Sequence, residues 1–352
     1  MFQKIYNLIK VLIITVIILI IVNILFFLFN NKIVKQEYFN RNYLSNLPIS
    51  YQVFYPEIND REYNNYTAII GDSYAVGAGD GYFDLKIKKY SIAHFLRETN
   101  DTVNFITFGW PGGGSISHLK LFNMLNEQFF FKRTKEYPNK IIYLFTEDND
   151  FADDYNEEYL GIYTYVFTNK EYLKQVFPIF YYAFRLIKNL TMNEKEVKIT
   201  KNEIIFKEKN IKLIGPARVA VPEIYDEELL KSLLIIKNNL RNFKNKVSDI
   251  TFVFIPSPAT IYNMKDPITS RSYRDGKEIK ISNDDMNLYN SYITMQLEKI
   301  CNDLNINFIN LTEDLRKKAK KELIHGPNDW THPNLKGYKF IARLLNLKIF
   351  NN

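Results

Sequence analysis

The chain has 352 residues, 46% of them hydrophobic, enough to bury one large core or two ordinary ones and too apolar for a disordered polymer. Its formal net charge of +7 comes from lysines interspersed with acidic residues, with no run of five or more like charges, which speaks against nucleic acid and only weakly for an acidic partner or a membrane surface. The single cysteine, Cys301, excludes an internal disulfide framework and a multi-cysteine zinc site.

The first element is apolar on every face. From Val11 to Phe29 no residue is charged and only Thr15 and Asn23 are polar, about the length a helix needs to cross a bilayer. The run is longer than a signal-peptide core, and Asn30-Asn31-Lys32-Ile33 offers no small-x-small cleavage site. Residues 1–35 are therefore expected to be an uncleaved single-pass membrane anchor, with a linker over 36–65 and a folded domain over 66–352. Lysines flank the run on both sides, Lys4 and Lys10 before it and Lys32 and Lys35 after it, so charge does not settle orientation.

The domain opens with Ala68-Ile69-Ile70, which reads as the end of a buried strand. Gly71 then lets the chain turn sharply out of the sheet, leaving Ser73 exposed at the strand's C-terminal edge, where the dipole of a following helix favours negative charge. Gly77, Gly79 and Gly81 predict a loop, and Ser91 an N-cap for a helix carrying Ile92, Phe95 and Leu96. Val103 to Phe108 is a second strand, ending in Gly109-Trp110-Pro111-Gly112-Gly113-Gly114. Ser115 can cap the helix after it. Lys140 to Phe145 is a third strand, stopped by Thr146-Glu147-Asp148-Asn149-Asp150. Strand, glycine-rich loop, helix, strand is the rhythm of a parallel α/β sheet.

Residues 151–221 break that rhythm and are read as an insertion or lid, with a helix near 172–190 and a hairpin in which 204–206 and 211–213 flank Lys207-Glu208-Lys209-Asn210. The pattern then resumes with a helix over 226–243, a strand over 250–255, a helix over 284–304, a strand over 306–311 and a last helix from Asn334 towards Leu347.

Four places carry chemistry. Asp329 and His332 stand three apart just before a helix, so the carboxylate can accept the imidazole N–H and fix its tautomer while the other ring nitrogen takes the proton of Ser73. An oxyanion formed by attack of Ser73 needs donors, for which the Ser73 N–H, a backbone N–H of the Gly112 loop and the Asn149 side-chain amide are the candidates. His94 and His118 are read as structural residues, and His325 as a rim residue. Asp72, Asp148 and Asp150 form no recognised metal spacing, so no metal and no cofactor is expected.

Gly71-Asp72-Ser73, Phe108-Gly109-Trp110-Pro111-Gly112, Asn149-Asp150 and Asp329-Trp330-Thr331-His332-Pro333 occur in the order of the SGNH hydrolases, or GDSL esterases, and the chain resembles that family over roughly residues 66–347. The resemblance implies a flavodoxin-like three-layer α/β/α sandwich with a parallel central sheet. It also implies Ser73 as nucleophile, His332 as base, Asp329 as its orienter, and Gly112 and Asn149 as oxyanion-hole residues. Two departures stand out: Glu147 occupies the place of a family glycine, and Gly113 can replace Gly112 as donor.

An activated serine implies acyl transfer through an acyl-enzyme. The expected activity is hydrolysis of ester groups, O-acetyl above all, on a cell-surface carbohydrate by a membrane-anchored, extracytoplasmic domain, with a lipid ester as the other substrate class. A polysaccharide O-acetyltransferase using the same triad is the alternative, to which Phe254 to Tyr262 bears a weak likeness. A non-catalytic, membrane-anchored glycan-binding or assembly protein is the third, with the aromatics of the insertion as a stacking platform.

Overall fold

The computed structural model describes residues 2–33, 65–79, 91–127, 137–147, 150–159, 202–213, 227–271, 278–327 and 329–350. Helix α1 spans Phe2–Ile33, and the domain begins with β1 (Tyr66–Gly71), the single-turn helix α2 (Ser73–Val76), α3 (Ile92–Thr99), β2 (Asn104–Gly109), α4 (Ser115–Glu127), β3 (Lys140–Thr146) and α5 (Asp150–Tyr159). Two hairpin strands, β4 (Asn202–Phe206) and β5 (Lys209–Leu213), precede α6 (Glu227–Lys244), β6 (Asp249–Ile255) and α7 (Pro258–Ile261). The chain ends with β7 (Ile268–Arg271), β8 (Glu278–Ile281), α8 (Asn283–Asp303), β9 (Asn307–Asn310), α9 (Thr312–Ala319) and α10 (Leu335–Ile349).

Five strands form one sheet in the order β2-β1-β3-β6-β9, every pair parallel. Parallel strands need crossover helices, which cover both faces, so the strands read as nearly continuous apolar runs. Side chains alternate between the faces. Ile70, Phe108, Tyr143 and Phe252 pack under Phe122 of α4, Leu233 and Phe243 of α6 and Tyr289 of α8. Ile69, Phe105, Leu144 and Val253 pack on the other side under Tyr74, Phe95 of α3 and Tyr338 and Ile341 of α10. The expected three-layer α/β/α arrangement is what these two cores describe. Crossovers run outward in both directions from β1 and β3, and at such a reversal a crevice opens beyond the carboxyl ends of the strands.

Local chemistry fixes the helix starts. Ser91 caps α3 by accepting the His94 N–H, and Asn334 caps α10 by accepting from Lys336 and Gly337. Ser115 does not cap α4 as expected. It lies in the first turn and donates to buried Asp154 of α5, which also accepts the Ile116 N–H, at 2.7 Å and 3.0 Å. The cap comes from a neighbouring helix.

The hairpin turn is also tighter than the pattern suggested. Phe206 pairs with Lys209 and Ile205 with Asn210, leaving Lys207 and Glu208 alone in the turn at φ +48° and +64°. Two consecutive left-handed residues match the twist of a two-residue hairpin. Buried Ile204 seats the hairpin on the core beside Met264. The rest of the expected insertion, including the helix near 172–190, lies outside the described residues, as does nearly all of the linker.

Helix α1 exposes Val11, Ile13, Ile14, Val16, Ile17, Ile18, Ile20, Ile21 and Val22. Side chains are described only as far as Val22, so the second half of the uncharged run lies beyond them. Among the described residues no helix is long and apolar enough to cross a membrane.

Asp154→Ala removes a buried acceptor from two donors at once. It is expected to destabilise the domain by about 2 kcal/mol, seen as a lower midpoint in thermal or denaturant melts.

Candidate active site

The structure brings Ser73, His332 and Asp329 together. Ser73 follows β1 at the carboxyl edge of the sheet, half-buried rather than fully exposed. Its Oγ lies 2.8 Å from His332 Nε2, and His332 Nδ1 lies 2.8 Å from Asp329 Oδ2. Asp329 is held by its own turn, because Oδ1 accepts the N–H groups of Thr331 and His332 at 2.8 Å and 3.2 Å. Oδ2 is left to accept the imidazole N–H, which puts the lone pair of the other ring nitrogen towards Ser73. Burial alone would raise the Asp329 carboxyl, but the hydrogen bond and charge of His332 and the two backbone donors bring it below its ordinary value. Asp329 therefore stays ionised beside the imidazole.

The histidine loop is fastened to the domain at several points. Tyr74 donates its hydroxyl to Thr331 O at 2.6 Å. Asn334, while capping α10, donates to the carbonyls of Leu323, His325 and Gly326. Gly79 backs the imidazole. It sits at φ +100°, and a Cβ there would come within 2.8 Å of His332 Cβ. The sequence marked Gly79 only as a loop residue, since nothing local reveals a contact to a side chain more than 250 positions away.

The sequence presents Asp72 only as part of the Gly-Asp-Ser motif and as one of three acids without metal spacing. It is fully buried, caps α2 by accepting the Tyr74 N–H at 2.8 Å, and offers Oδ2 to Ser73 Oγ at 3.1 Å and Thr146 Oγ1 at 3.3 Å. Helix α2 has only one turn, so its macrodipole contributes far less at Ser73 than a long helix would. The glycine before it also has a different reason than turning. Gly71 is the last residue of β1, and a Cβ there would meet Leu144 O of β3 at 2.9 Å.

In the glycine loop, Gly113 donates its N–H to Trp110 O at 3.2 Å and is packed against Trp110 and Ser117, so this donor is already committed. Gly112 has φ +74°, and a Cβ on it would meet nothing within 4 Å. Glycine is required there by backbone conformation, and the side where a side chain would stand is open. Asn149 lies outside the described residues, between Glu147 and Asp150, which are both placed. Among the described residues no group of three or more His, Cys, Asp or Glu side chains could hold a metal ion.

Glu147 points away from the site. Its buried carboxylate accepts from Ser257 N at 2.7 Å, Thr260 Oγ1 at 2.6 Å and Asn290 Nδ2 at 3.0 Å. Asp150, also buried, accepts the Thr146 N–H at 2.7 Å through Oδ2, while its Oδ1 has no partner among the described residues. Burial pushes the Asp72, Glu147 and Asp150 carboxyls above the ordinary range, and for Asp150 the charge of Asp72 adds to the shift. His118 is buried against the Tyr143 hydroxyl at 2.8 Å, and burial pushes it down to about 3, in keeping with a structural residue. His325 is not at the rim. It is 3% exposed, pairs through Nδ1 with the Tyr262 hydroxyl at 3.2 Å, and is likewise pushed down to about 3 by burial.

No protein-family model and no curated protein sequence matches the chain. Among solved structures it is similar to a lipolytic protein of the G-D-S-L family from Veillonella parvula, at 10% identity and TM-score 0.41 over 82% of this chain and 100% of that one. It is also similar to an acetylxylan esterase from Geobacillus stearothermophilus, at 10% identity and TM-score 0.38 over 83% and 97% of the two chains. A carbohydrate acetylesterase family member from Sinorhizobium meliloti aligns at 9% identity and TM-score 0.39 over 81% and 97%. These scores are low, and the chemistry rests on the geometry itself.

Gly79→Ala forces both an unfavourable φ and a clash with His332, so kcat is expected to fall by about tenfold or more while the protein still folds. Stability should also depend on pH in an unusual direction. The folded state binds protons on Asp150 and Glu147 more tightly than the unfolded chain does, so unfolding free energy rises as pH falls from the alkaline side towards the ordinary carboxylate range. Below about 4 the lowered carboxyl of Asp329 acts in the opposite sense and its contribution is lost. Melts at pH 8 and pH 5 check the sign, and Asp150→Asn should flatten the slope.

Proposed function

We propose that this chain is a serine esterase of the SGNH type, acting through an acyl-enzyme on ester groups, O-acetyl groups of a carbohydrate above all. The observation that carries the reading is the hydrogen-bonded sequence Ser73, His332, Asp329, with both contacts at 2.8 Å. In the first half-reaction Ser73 Oγ attacks the ester carbonyl carbon, its proton passes to His332 Nε2, and the carbonyl π electrons move onto oxygen. The Ser73 N–H, the Gly112 N–H and the Asn149 amide are the donors assigned to that oxygen. Collapse expels the alcohol, which takes the proton from His332. Water then repeats the sequence on the acyl-enzyme and releases the acid.

A sugar hydroxyl in place of that water would make the same site an O-acetyltransferase. One observation favours keeping this second reading: buried Glu147 ties the carboxyl end of β3 to Ser257 and Thr260, in the stretch whose sequence resembles polysaccharide acetyltransferases. A binding-only role leaves the ordered triad without a purpose.

The membrane anchor belongs to the same proposal. What supports it is the uncharged sequence run Val11 to Phe29. A catalytic domain outside the cytoplasm then acts on esters close to the membrane surface.

Full-length protein in detergent should release p-nitrophenol from the acetate ester and label with a serine-directed phosphonate. Ser73→Ala should abolish labelling, and Ser73→Ala and His332→Ala should each lower turnover by ~10³-fold or more. Equal inertness of wild type and variants towards short and long esters, with no labelling, overturns the esterase reading. Turnover that appears only with an acetyl donor and a glycan acceptor would identify the transferase.

A further inference from the structure

We infer that Asp72 is a second carboxylate of the esterase site, a positioning residue that holds the Ser73 hydroxyl and stabilises positive charge on His332. The inference rests on the esterase reading above and assigns a role to a group that the triad does not use.

The geometry gives Ser73 Oγ two neighbours able to accept its single proton, His332 Nε2 at 2.8 Å and Asp72 Oδ2 at 3.1 Å. The carboxylate and the imidazole therefore flank one oxygen and stand no more than about 6 Å apart, at which distance an ionic interaction away from bulk water is substantial. Asp72 cannot swing away. Oδ1 is fixed by the Tyr74 N–H, Oδ2 accepts the Thr146 hydroxyl, and the side chain is fully buried.

A buried anion must have a reason to stay charged, and the surroundings supply one. Two donors independent of the triad, the Tyr74 N–H and the Thr146 hydroxyl, hold Asp72, and the Ser73 hydroxyl lies beside it, while Asp150, on the other side of Thr146, has a single donor on Oδ2 and no partner for Oδ1 among the described residues. Two carboxylates joined through one threonine cannot both ionise easily. The less well-solvated one, Asp150, takes the proton, and Asp72 keeps the charge.

That charge is useful only when His332 becomes imidazolium, during attack by Ser73 and again during deacylation. Asp329 faces the imidazole from its own loop, and Asp72 faces it across Ser73 from the end of β1. His325 is neutral and buried, and Asp153 and Asp154 act on Asp150 rather than on Ser73. In this arrangement Asp72 exchanges no proton with substrate and stays ionised through both half-reactions.

Asp72→Asn tests the role, because the amide keeps the shape and the cap while removing the charge. In full-length protein the acidic limb of kcat/KM against pH, set by His332, should move down by about one unit and kcat should fall by about tenfold. Imidazole titration followed by NMR should show the same downward move for His332 in the absence of substrate. Asp72→Ser, which keeps a cap acceptor without the charge, serves if the asparagine variant does not fold. Asp150→Asn should leave both readouts unchanged. A lowered melting point in the Asp72 variants with an unmoved pH limb and an unmoved imidazole titration makes Asp72 a structural cap only and overturns the inference. Loss of all ester turnover by wild type overturns the esterase reading instead, and is distinguishable because the imidazole titration needs no substrate.

Discussion

The hydrogen bond between Ser73 Oγ and His332 Nε2 joins residues 259 positions apart, and it forms only if two remote turns are held to within a fraction of an ångström. The sheet supplies the first turn. Ile69 and Ile70 are locked between β2 and β3, so Ser73 leaves the edge at a fixed point. The second turn hangs between α9 and α10 and has no sheet to fix it. It is fixed instead by side chains that reach across, Asn334 to three carbonyls on one side and Tyr74 to Thr331 O on the other. Tyr338 adds a third tie by donating to Ala78 O at 2.9 Å. A contact between distant segments thus depends on ordinary hydrogen bonds made outside it.

The same edge concentrates buried acid. Asp72, Glu147, Asp150 and Asp154 are all essentially inaccessible. Each accepts from neutral N–H groups or hydroxyls, most of them at strand ends and helix starts. Such groups are costly to bury as anions, so protons are retained on some of them and the fold becomes more stable on mild acidification. Four acids cost stability and would be hard to retain for stability alone. Asp154 and Glu147 have clear structural work, capping α4 and tying β3 to the stretch after β6. Asp72 caps α2 and also lies 3.1 Å from Ser73 Oγ.

The fold was legible because its signals are local and repeated. Apolar strands followed by glycine loops and capped helices announce a parallel α/β sheet, and every strand of the five-stranded sheet appears close to where the pattern puts it, while the β7-β8 pair was not expected. The Ser73, Asp329 and His332 trio was legible through residue type, spacing and resemblance. What could not be read were contacts between side chains remote in sequence. Nothing near Ser115 says that Asp154 will cap its helix, nothing near Gly79 says that His332 will lie against it, and His325 looks like a rim residue until Tyr262 is seen beside it. The turn at Lys207-Glu208 escaped for another reason: neither residue favours positive φ, and only the register of the two strands forces it.

Glu147 shows how a departure from a motif can be absorbed. A glycine at the end of β3 would let the loop lie close to a substrate, and a glutamate pointing the same way would block it. The chain turns the side chain inward, where Ser257, Thr260 and Asn290 supply three donors. The backbone N–H of Glu147 meanwhile stays bonded to Ile255 O at 3.0 Å, so the strand end keeps its place in the sheet. Inward rotation couples the β3 edge to the segment 257–260 and to α8, which a glycine could not do. Glu147 is thereby tied to the segment that follows β6, the strand next to β3.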